Sequence, residues 1–101
     1  MILEAATLQV RSGLEHDFEE AFKKASALIS SMPGYLSHEL HGCIEVKSKY
    51  LLLVRWQRLE DHTVGFRGSP EYQEWKQLLH RFYEPFPTVE HFVQIELNGQ
   101  H

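Results

Sequence analysis

Three ionisable side chains in this sequence have both the chemistry and the predicted position that proton transfer requires: Glu4, His38 and His62. An imidazole beside a carboxylate can take a proton from an acidic substrate, because the imidazole pKa lies near working pH. Strand alternation turns Glu4 and His38 toward the side that helices would cover, and helical phase turns His62 there too. We predict these three as the catalytic set, with either histidine as the base and Glu4 orienting it.

Aromatic side chains would form the walls of a cavity around these groups. The predicted substrate-binding residues are Trp56, Phe66, Tyr72 and Trp75, which offer flat surfaces to a planar ligand. A structural alternative stands beside this prediction, because an aromatic stripe at helical spacing is typical of core packing.

Each polar candidate has a structural alternative as well. Glu4 could be solvated near the N-terminus, and His38 could be a core histidine bonded to Glu4 or to a backbone carbonyl. His62 would face solvent if the phase of its helix shifted by one position. Seven histidines raise the question of a metal, but no H-x-x-x-H pair occurs, and His38 and His41 alternate across their strand. We therefore expect no metal site.

Length, charge and cysteine content narrow the class of protein. A chain of 101 residues has room for one domain, predicted over 1–101. The net charge is −4 and the longest basic stretch is Lys23-Lys24, which argues against a nucleic-acid partner. The single Cys43 excludes a disulfide framework and fits a reducing, cytoplasmic location. No apolar run reaches the length of a membrane span, so no membrane association is expected.

Periodicity predicts the first half of the chain as strand, helix and hairpin. Residues 2–10 alternate as a strand, and Ser12 to Glu15 form an S-x-x-E capping box before a helix that ends at Pro33-Gly34. Residues 35–46 alternate as a second strand. Residues 50–56 are apolar on both faces, as in a central strand.

The second half of the chain is predicted as helix, loop and strand. Residues 59–66 form a short helix, and Ser69-Pro70 restart a longer one as N-cap and first helical residue. A proline-stiffened loop over 83–87 precedes a last strand over 89–97.

This order, βαββαβ, predicts an α+β ferredoxin-like fold with a four-stranded antiparallel sheet and both helices on one face. The other face would be open, with mixed apolar and polar side chains: Glu39, His41, Cys43, Leu51, Leu53 and Arg55. An exposed apolar face needs a cover, and a second copy of the chain is the simplest one. We expect a homodimer.

The element order, the Met32-Pro33-Gly34-Tyr35 turn, the third strand ending in Trp56 and the restart over 68–72 (GSPEY) resemble the antibiotic biosynthesis monooxygenase family. The resemblance extends over about residues 2–97. It implies a dimeric α/β barrel and a monooxygenase that oxygenates a phenol- or quinol-type aromatic molecule with no cofactor.

One branch of that family degrades haem with an Asn, a Trp and a His. The matching positions here are Ala6 or Thr7, Phe66 and Lys76, so the resemblance does not extend to haem degradation. Two other functions remain open on the same scaffold: a non-catalytic, ligand-binding or accessory dimer, and a proton-transfer isomerase or cyclase that uses the same His and Glu.

Overall fold

The computed structural model describes residues 1–97 and contains four strands, two helices and two short helical turns. In chain order these are β1 (Ile2–Gln9), α1 (Glu15–Ser30), β2 (Tyr35–Gly42), β3 (Lys49–Trp56), a π-helical turn (Asp61–Phe66), α2 (Pro70–Leu79), a 3-10 turn (His80–Phe82) and β4 (Val89–Phe92). The strands form one antiparallel sheet in the order β2-β3-β1-β4. The predicted α+β ferredoxin-like fold is confirmed. Residues 98–101 of the predicted domain lie outside the described residues.

Both helices bury an apolar stripe against one face of the sheet. Alternation along the two central strands, β1 and β3, sends every second side chain toward the helices. The core joins Ala6, Leu8, Leu52 and Val54 from the sheet to Phe18, Phe22, Ala25, Ile29, Trp75 and Leu79 from the helices. This layer supplies the apolar surroundings in which the polar residues described below are held.

The two helices begin differently. The Ser69 Oγ accepts the backbone N–H of Tyr72 at 3.1 Å, so the predicted N-cap of α2 is confirmed. The predicted capping box of α1 does not form, because the helix begins at Glu15 and no side chain caps it at Leu14. The Glu15 carboxylate accepts the N–H of Gly13 at 3.1 Å instead of the N–H of Ser12.

The second strand differs from its prediction in length and in side-chain direction. It ends at Gly42, and Ile44 beyond it is 95% exposed. The pairing with β3 shifts between Tyr35 and Ser37. Because an extra residue at a bulge resets strand alternation, Tyr35 packs toward the helices and Leu36 is exposed.

The opposite face of the sheet has no helix over it. Glu39 and Leu53 are directly paired on this face, as are His41 and Leu51. The predicted last strand is also too long, since β4 ends at Phe92. Phe92 is 48% exposed, and the segment after it carries three more exposed apolar side chains: Val93, Ile95 and Leu97.

A close approach fixes the start of β2 against the π-helical turn. Gly34 has φ +84°, and a Cβ placed there would lie 2.1 Å from Asp61 Oδ2. Only glycine satisfies both the left-handed backbone and this lack of space. Asp61 is thereby held beside β2, and its neighbour His62 is turned into the core.

Over the described residues, no helix combines the length and apolar character needed to cross a membrane.

Candidate active site

A buried carboxylate lies at the centre of the sheet. Glu4, on β1, is 5% exposed, and its Oε1 accepts the indole N–H of Trp56 at 2.9 Å. Trp56 ends the neighbouring strand and is fully buried. A buried acid without such a donor would carry a large desolvation cost, so this hydrogen bond helps to hold Glu4 in the core.

The π-helical turn brings His62 to this carboxylate. His62 Nε2 lies 3.5 Å from Glu4 Oε1, and the imidazole stacks on the Trp56 ring at 5.7 Å between centres. The Arg67 N–H donates to the His62 carbonyl at 3.1 Å, the i to i+5 bond that defines a π-turn. The wider turn lets Asp61, His62 and Phe66 all be buried.

A second histidine, His91, is hydrogen-bonded to His62 on the side away from Glu4. His62 Nδ1 lies 2.8 Å from His91 Nε2, a hydrogen bond in which one imidazole donates and the other accepts. His91 is directly paired with Glu4 across β1 and β4. Because β4 is an edge strand and His91 is half-buried, the Glu4–His62–His91 line runs from the core to the border of the sheet.

Burial controls the protonation of this line. Desolvation raises the pKa of Glu4, partly offset by the Trp56 hydrogen bond and the Arg67 charge. Desolvation, followed by the charges of Arg67 and His91, lowers the pKa of His62 to about 3. His91 has a lowered pKa from partial burial and Arg67. The 3.5 Å contact of His62 with Glu4 therefore involves a neutral imidazole and is not an ion pair.

A small cavity of about 60 Å³ adjoins the carboxylate. Glu4, His62, Phe66, Tyr72 and Trp75 are among the residues that line it. Trp56 and His62 both approach Oε1 of Glu4, and no hydrogen bond from the described residues reaches Oε2. Every fully buried polar side-chain atom in residues 1–97 has a partner. Oε2 must therefore border the open space.

His38 belongs to a separate cluster. Its Nδ1 is bonded to the Tyr35 hydroxyl, and its Nε2 lies 3.0 Å from the Ser26 Oγ on α1. Val54 stands between His38 and Glu4 in the sheet register. Partial burial lowers the pKa of His38. The expected convergence of His38 with Glu4 and His62 is not found, because the two histidines lie on opposite sides of the central strand pair.

The other predicted site residues are brought together. Phe66, Tyr72 and Trp75 line the cavity beside Glu4 and His62. Trp56 is not among the lining residues. It lies behind the polar pair, stacks on His62 and donates to Glu4.

Sequence reasoning missed His91, Arg67 and Asp61. His91 pairs with Glu4 across β1 and β4, and this pairing turns its side chain toward the helices. His80 lines the cavity, because the helical phase changes where α2 gives way to the 3-10 turn. No local sequence signal marks either orientation.

Among residues 1–97, no three His, Cys, Asp or Glu side chains are arranged to hold a metal ion.

The family model for antibiotic biosynthesis monooxygenases matches residues 1–78. The chain belongs to the antibiotic biosynthesis monooxygenase family. The match covers β1, the π-helical turn and most of α2, and so includes Glu4, Trp56 and His62. The resemblance on which the sequence analysis relied is confirmed.

Relatives of this antibiotic biosynthesis monooxygenase family member agree in sequence and fold. The uncharacterized protein YczJ of Bacillus subtilis (strain 168) is 62% identical over 95 residues, which are 94% of this chain and all of YczJ. A crystal structure from Bordetella bronchiseptica, whose protein is assigned to the same family, is 34% identical with a TM-score of 0.90, covering 94% of this chain and 97% of that one. SnoaB, a cofactor-independent oxygenase from Streptomyces nogalater, shares the fold at 15% identity and a TM-score of 0.82, covering 97% and 96% of the two chains.

Proposed function

We propose that this protein is a monooxygenase that oxygenates a phenol- or quinol-type aromatic molecule without a cofactor. Its family membership supports the reaction class. One observation carries the mechanism: a buried carboxylate borders an aromatic-lined cavity and is connected through two histidines to the edge of the sheet.

Glu4 is the proton acceptor in this proposal. Burial raises the pKa of the Glu4 carboxyl group, which makes its carboxylate a stronger base than an ordinary one and brings its pKa nearer to working pH. His62, with a pKa of about 3, accepts a lasting charge poorly. From the sequence alone, a histidine was predicted as the base. The protonation pattern favours the opposite division, with Glu4 as base and His62 as its partner.

The two histidines carry the proton away. Glu4 passes it to His62 Nε2 while the proton on His62 Nδ1 moves to His91 Nε2, 2.8 Å away. His91 then releases its own Nδ1 proton to solvent at the sheet edge. Because one proton leaves each ring as another arrives, His62 never has to hold a stable positive charge.

The substrate anion left behind reacts with dioxygen. It gives one electron to dioxygen, and the resulting radical pair combines to form a peroxide anion at a ring carbon, which takes up a proton from solvent to become a hydroperoxide. Loss of water then leaves a carbonyl group at that carbon. One oxygen atom enters the product and the other leaves as water, formed from the O–H group of the hydroperoxide and the hydrogen of the oxidised carbon. The proton taken up from solvent balances the one that His91 releases. The protein deprotonates, orients and excludes bulk water.

Oxygen consumption tests this function. The purified protein is mixed with a panel of naphthols, quinols and anthrones in an oxygen electrode, and product quinones are quantified. Glu4→Gln keeps the acceptor for Trp56 but removes the base, so kcat/KM should fall by about 100-fold or more. His38→Gln is the matched control in the other cluster and should stay within about twofold. Absence of oxygen uptake by the folded protein over the whole panel would refute the proposal.

The role of His91 has its own test. His91→Ala interrupts the exit of the proton, so kcat should fall by about tenfold or more with KM unchanged. Added imidazole should restore the rate in His91→Ala and leave the wild type unchanged. A loss that imidazole does not rescue would assign His91 a structural part only.

A proton-transfer isomerase or cyclase is the second candidate. The observation in its favour is that Glu4, His62 and His91 are all groups that can transfer protons, and they lie in contact with one another. Such an enzyme would exchange substrate C–H for deuterium and form product without oxygen, whereas the oxygenase needs oxygen for any product.

We also propose that the open sheet face binds a second copy of the chain. Leu51 is 39% exposed on this face and Phe92 is exposed beside it, with Val93, Ile95 and Leu97 following. Sedimentation should give a dimer, and Leu51→Glu should produce monomers that still fold. A wild-type chain that stays monomeric at high concentration would contradict this.

A further inference from the structure

A second, outer cavity adjoins the one beside Glu4. This groove has a volume of about 300 Å³ and is lined by Arg67, Tyr72, His80, Phe86 and Pro87. All of these except Phe86 also line the inner cavity. The groove therefore shares a wall with the inner cavity, and its volume reaches the lower end of the roughly 300–1,000 Å³ typical of small-molecule sites.

The walls of the groove are flat rings. His80 meets Phe86 edge-on at 4.6 Å between ring centres, and Tyr72 lies 6.2 Å from His80 on the other side. Phe86 is 67% exposed although it is a large apolar side chain. A planar aromatic ligand would cover this ring and gain edge or stacking contacts with all three.

One cation stands at the groove without a counter-charge in contact. Within residues 1–97, Arg11, Arg55 and Arg58 each form an ion pair with a carboxylate. Arg67 forms none within 4.0 Å, and its side chain is exposed. Its backbone N–H is fixed by the His62 carbonyl. The π-helical turn thus anchors this arginine where the outer groove meets the inner cavity.

We propose that the groove binds an aromatic anion, with its ring against Tyr72, His80 and Phe86 and its oxyanion on the Arg67 guanidinium. The guanidinium offers several N–H donors in a planar array that matches a carboxylate. This inference rests on the proposed function, because it names the charge of the molecule that the same site would oxygenate. It also supplies what Glu4 cannot, a positive group to hold an anionic substrate.

Binding without oxygen tests the inference. Under anaerobic conditions, 2-naphthoate and 2-naphthamide are titrated by calorimetry and by tryptophan fluorescence. The two ligands have the same ring and nearly the same shape but differ in charge. The wild type should prefer the naphthoate by about tenfold or more, the ratio expected for a hydrogen bond to a charged group.

Three variants locate the charge preference. Arg67→Gln should reduce the preference to about twofold or less, while binding of the amide is unchanged. Arg67→Lys should retain part of the preference because it keeps the charge. Lys24→Gln removes an exposed cation on α1 that is not among the groove-lining residues, and it should behave as wild type. Circular dichroism and urea unfolding confirm that each variant is folded.

The outcomes separate this inference from the proposed function. Failure of the wild type to bind naphthoate, or a preference that survives in Arg67→Gln, would overturn the inference even if the protein consumed oxygen. A preference that is lost in Arg67→Gln but kept in Glu4→Gln supports it. That result would stand even if none of the naphthols, quinols and anthrones were oxygenated, in which case only the proposed function would fall.

Discussion

The sheet presents two histidine clusters on the same face and in the same row of residues. In the first, His38 is bonded to two hydroxyl groups, those of Tyr35 and Ser26. In the second, His62 lies between the Glu4 carboxylate and another imidazole. Carboxylate and imidazole groups are the usual proton carriers in catalysis, whereas the hydroxyl groups hold His38 by hydrogen bonding. The partners, and not the histidine itself, distinguish a core histidine from a candidate proton carrier.

The largest effect is expected where the two clusters are joined, at Gly34. Gly34→Ala introduces a Cβ into contact with Asp61 and a left-handed backbone that alanine disfavours. We expect a loss of about 3 kcal/mol or more in the free energy of unfolding, measured in urea.

Two other glycines separate the contributions at Gly34. Gly13→Ala shares the positive φ but meets nothing within 4 Å, so it should cost about 1 kcal/mol from strain alone. Gly42→Ala has neither problem and should be close to neutral. Equal losses for Gly34→Ala and Gly13→Ala would show that the approach of Asp61 is unimportant.

The next largest effect is expected at Trp56, whose indole N–H donates to Glu4 in the second cluster. Trp56→Phe removes the hydrogen bond to Glu4, so we expect a loss of about 2 kcal/mol at pH 7 and a further rise in the Glu4 pKa, because that bond lowers it. Urea unfolding measures the loss of stability, and NMR titration of the Glu4 carboxyl group measures its pKa.

Trp75→Phe is the control, since the buried indole of Trp75 makes no such bond within residues 1–97. An unchanged Glu4 pKa in Trp56→Phe would count against the role of Trp56 as the donor that stabilises the Glu4 carboxylate.

The two histidines should also differ in how stability depends on pH. The pKa of His62 is about 3 in the fold, against about 6.5 when unfolded. Its stabilising contribution is complete above pH 6.5 and is lost as pH falls toward 3, at up to about 1.4 kcal/mol per pH unit. His62→Gln should flatten the fall in unfolding free energy between pH 6.5 and 5.

The matched comparison is His38→Gln in the same pH range. His38 is only partly buried, so its pKa is lowered less strongly and its removal should flatten the curve less. Identical curves for the two variants would remove the distinction between the clusters.

The smallest effect is expected in the first cluster. Tyr35→Phe removes the hydroxyl bonded to His38 and should cost about 1 kcal/mol in urea unfolding. Oxygen consumption should be unchanged. A large loss of activity in Tyr35→Phe would place the proton chemistry in the first cluster and not in the second.

Local patterns were enough to predict the fold and part of the candidate site. Alternation along β1 predicted that Glu4 faces the helices, and helical phase predicted the same for His62. Both inferences needed only a regular element with a known period. Likewise, the start of α2 at Ser69-Pro70 could be predicted because an N-cap depends only on adjacent residues.

The predictions failed where regularity is interrupted. The bulge between Tyr35 and Ser37 interrupts the alternation predicted for residues 35–46, and the change from α2 to a 3-10 turn places His80 beside the cavity. The orientation of His91 depends on which strand β4 joins and in what register, a contact between distant parts of the chain. The partners of His62 could not be read from the sequence for the same reason.

The geometry of the site depends on the number of residues in the π-helical turn. Removing one residue between His62 and Phe66 would leave every side chain discussed above in the protein. It would nevertheless rotate the following positions by about 100° around the helix axis. Phe66 would leave the cavity wall and Arg67 would swing away from the groove. A single missing codon in this short stretch would therefore dismantle the site without altering any of its chemical groups.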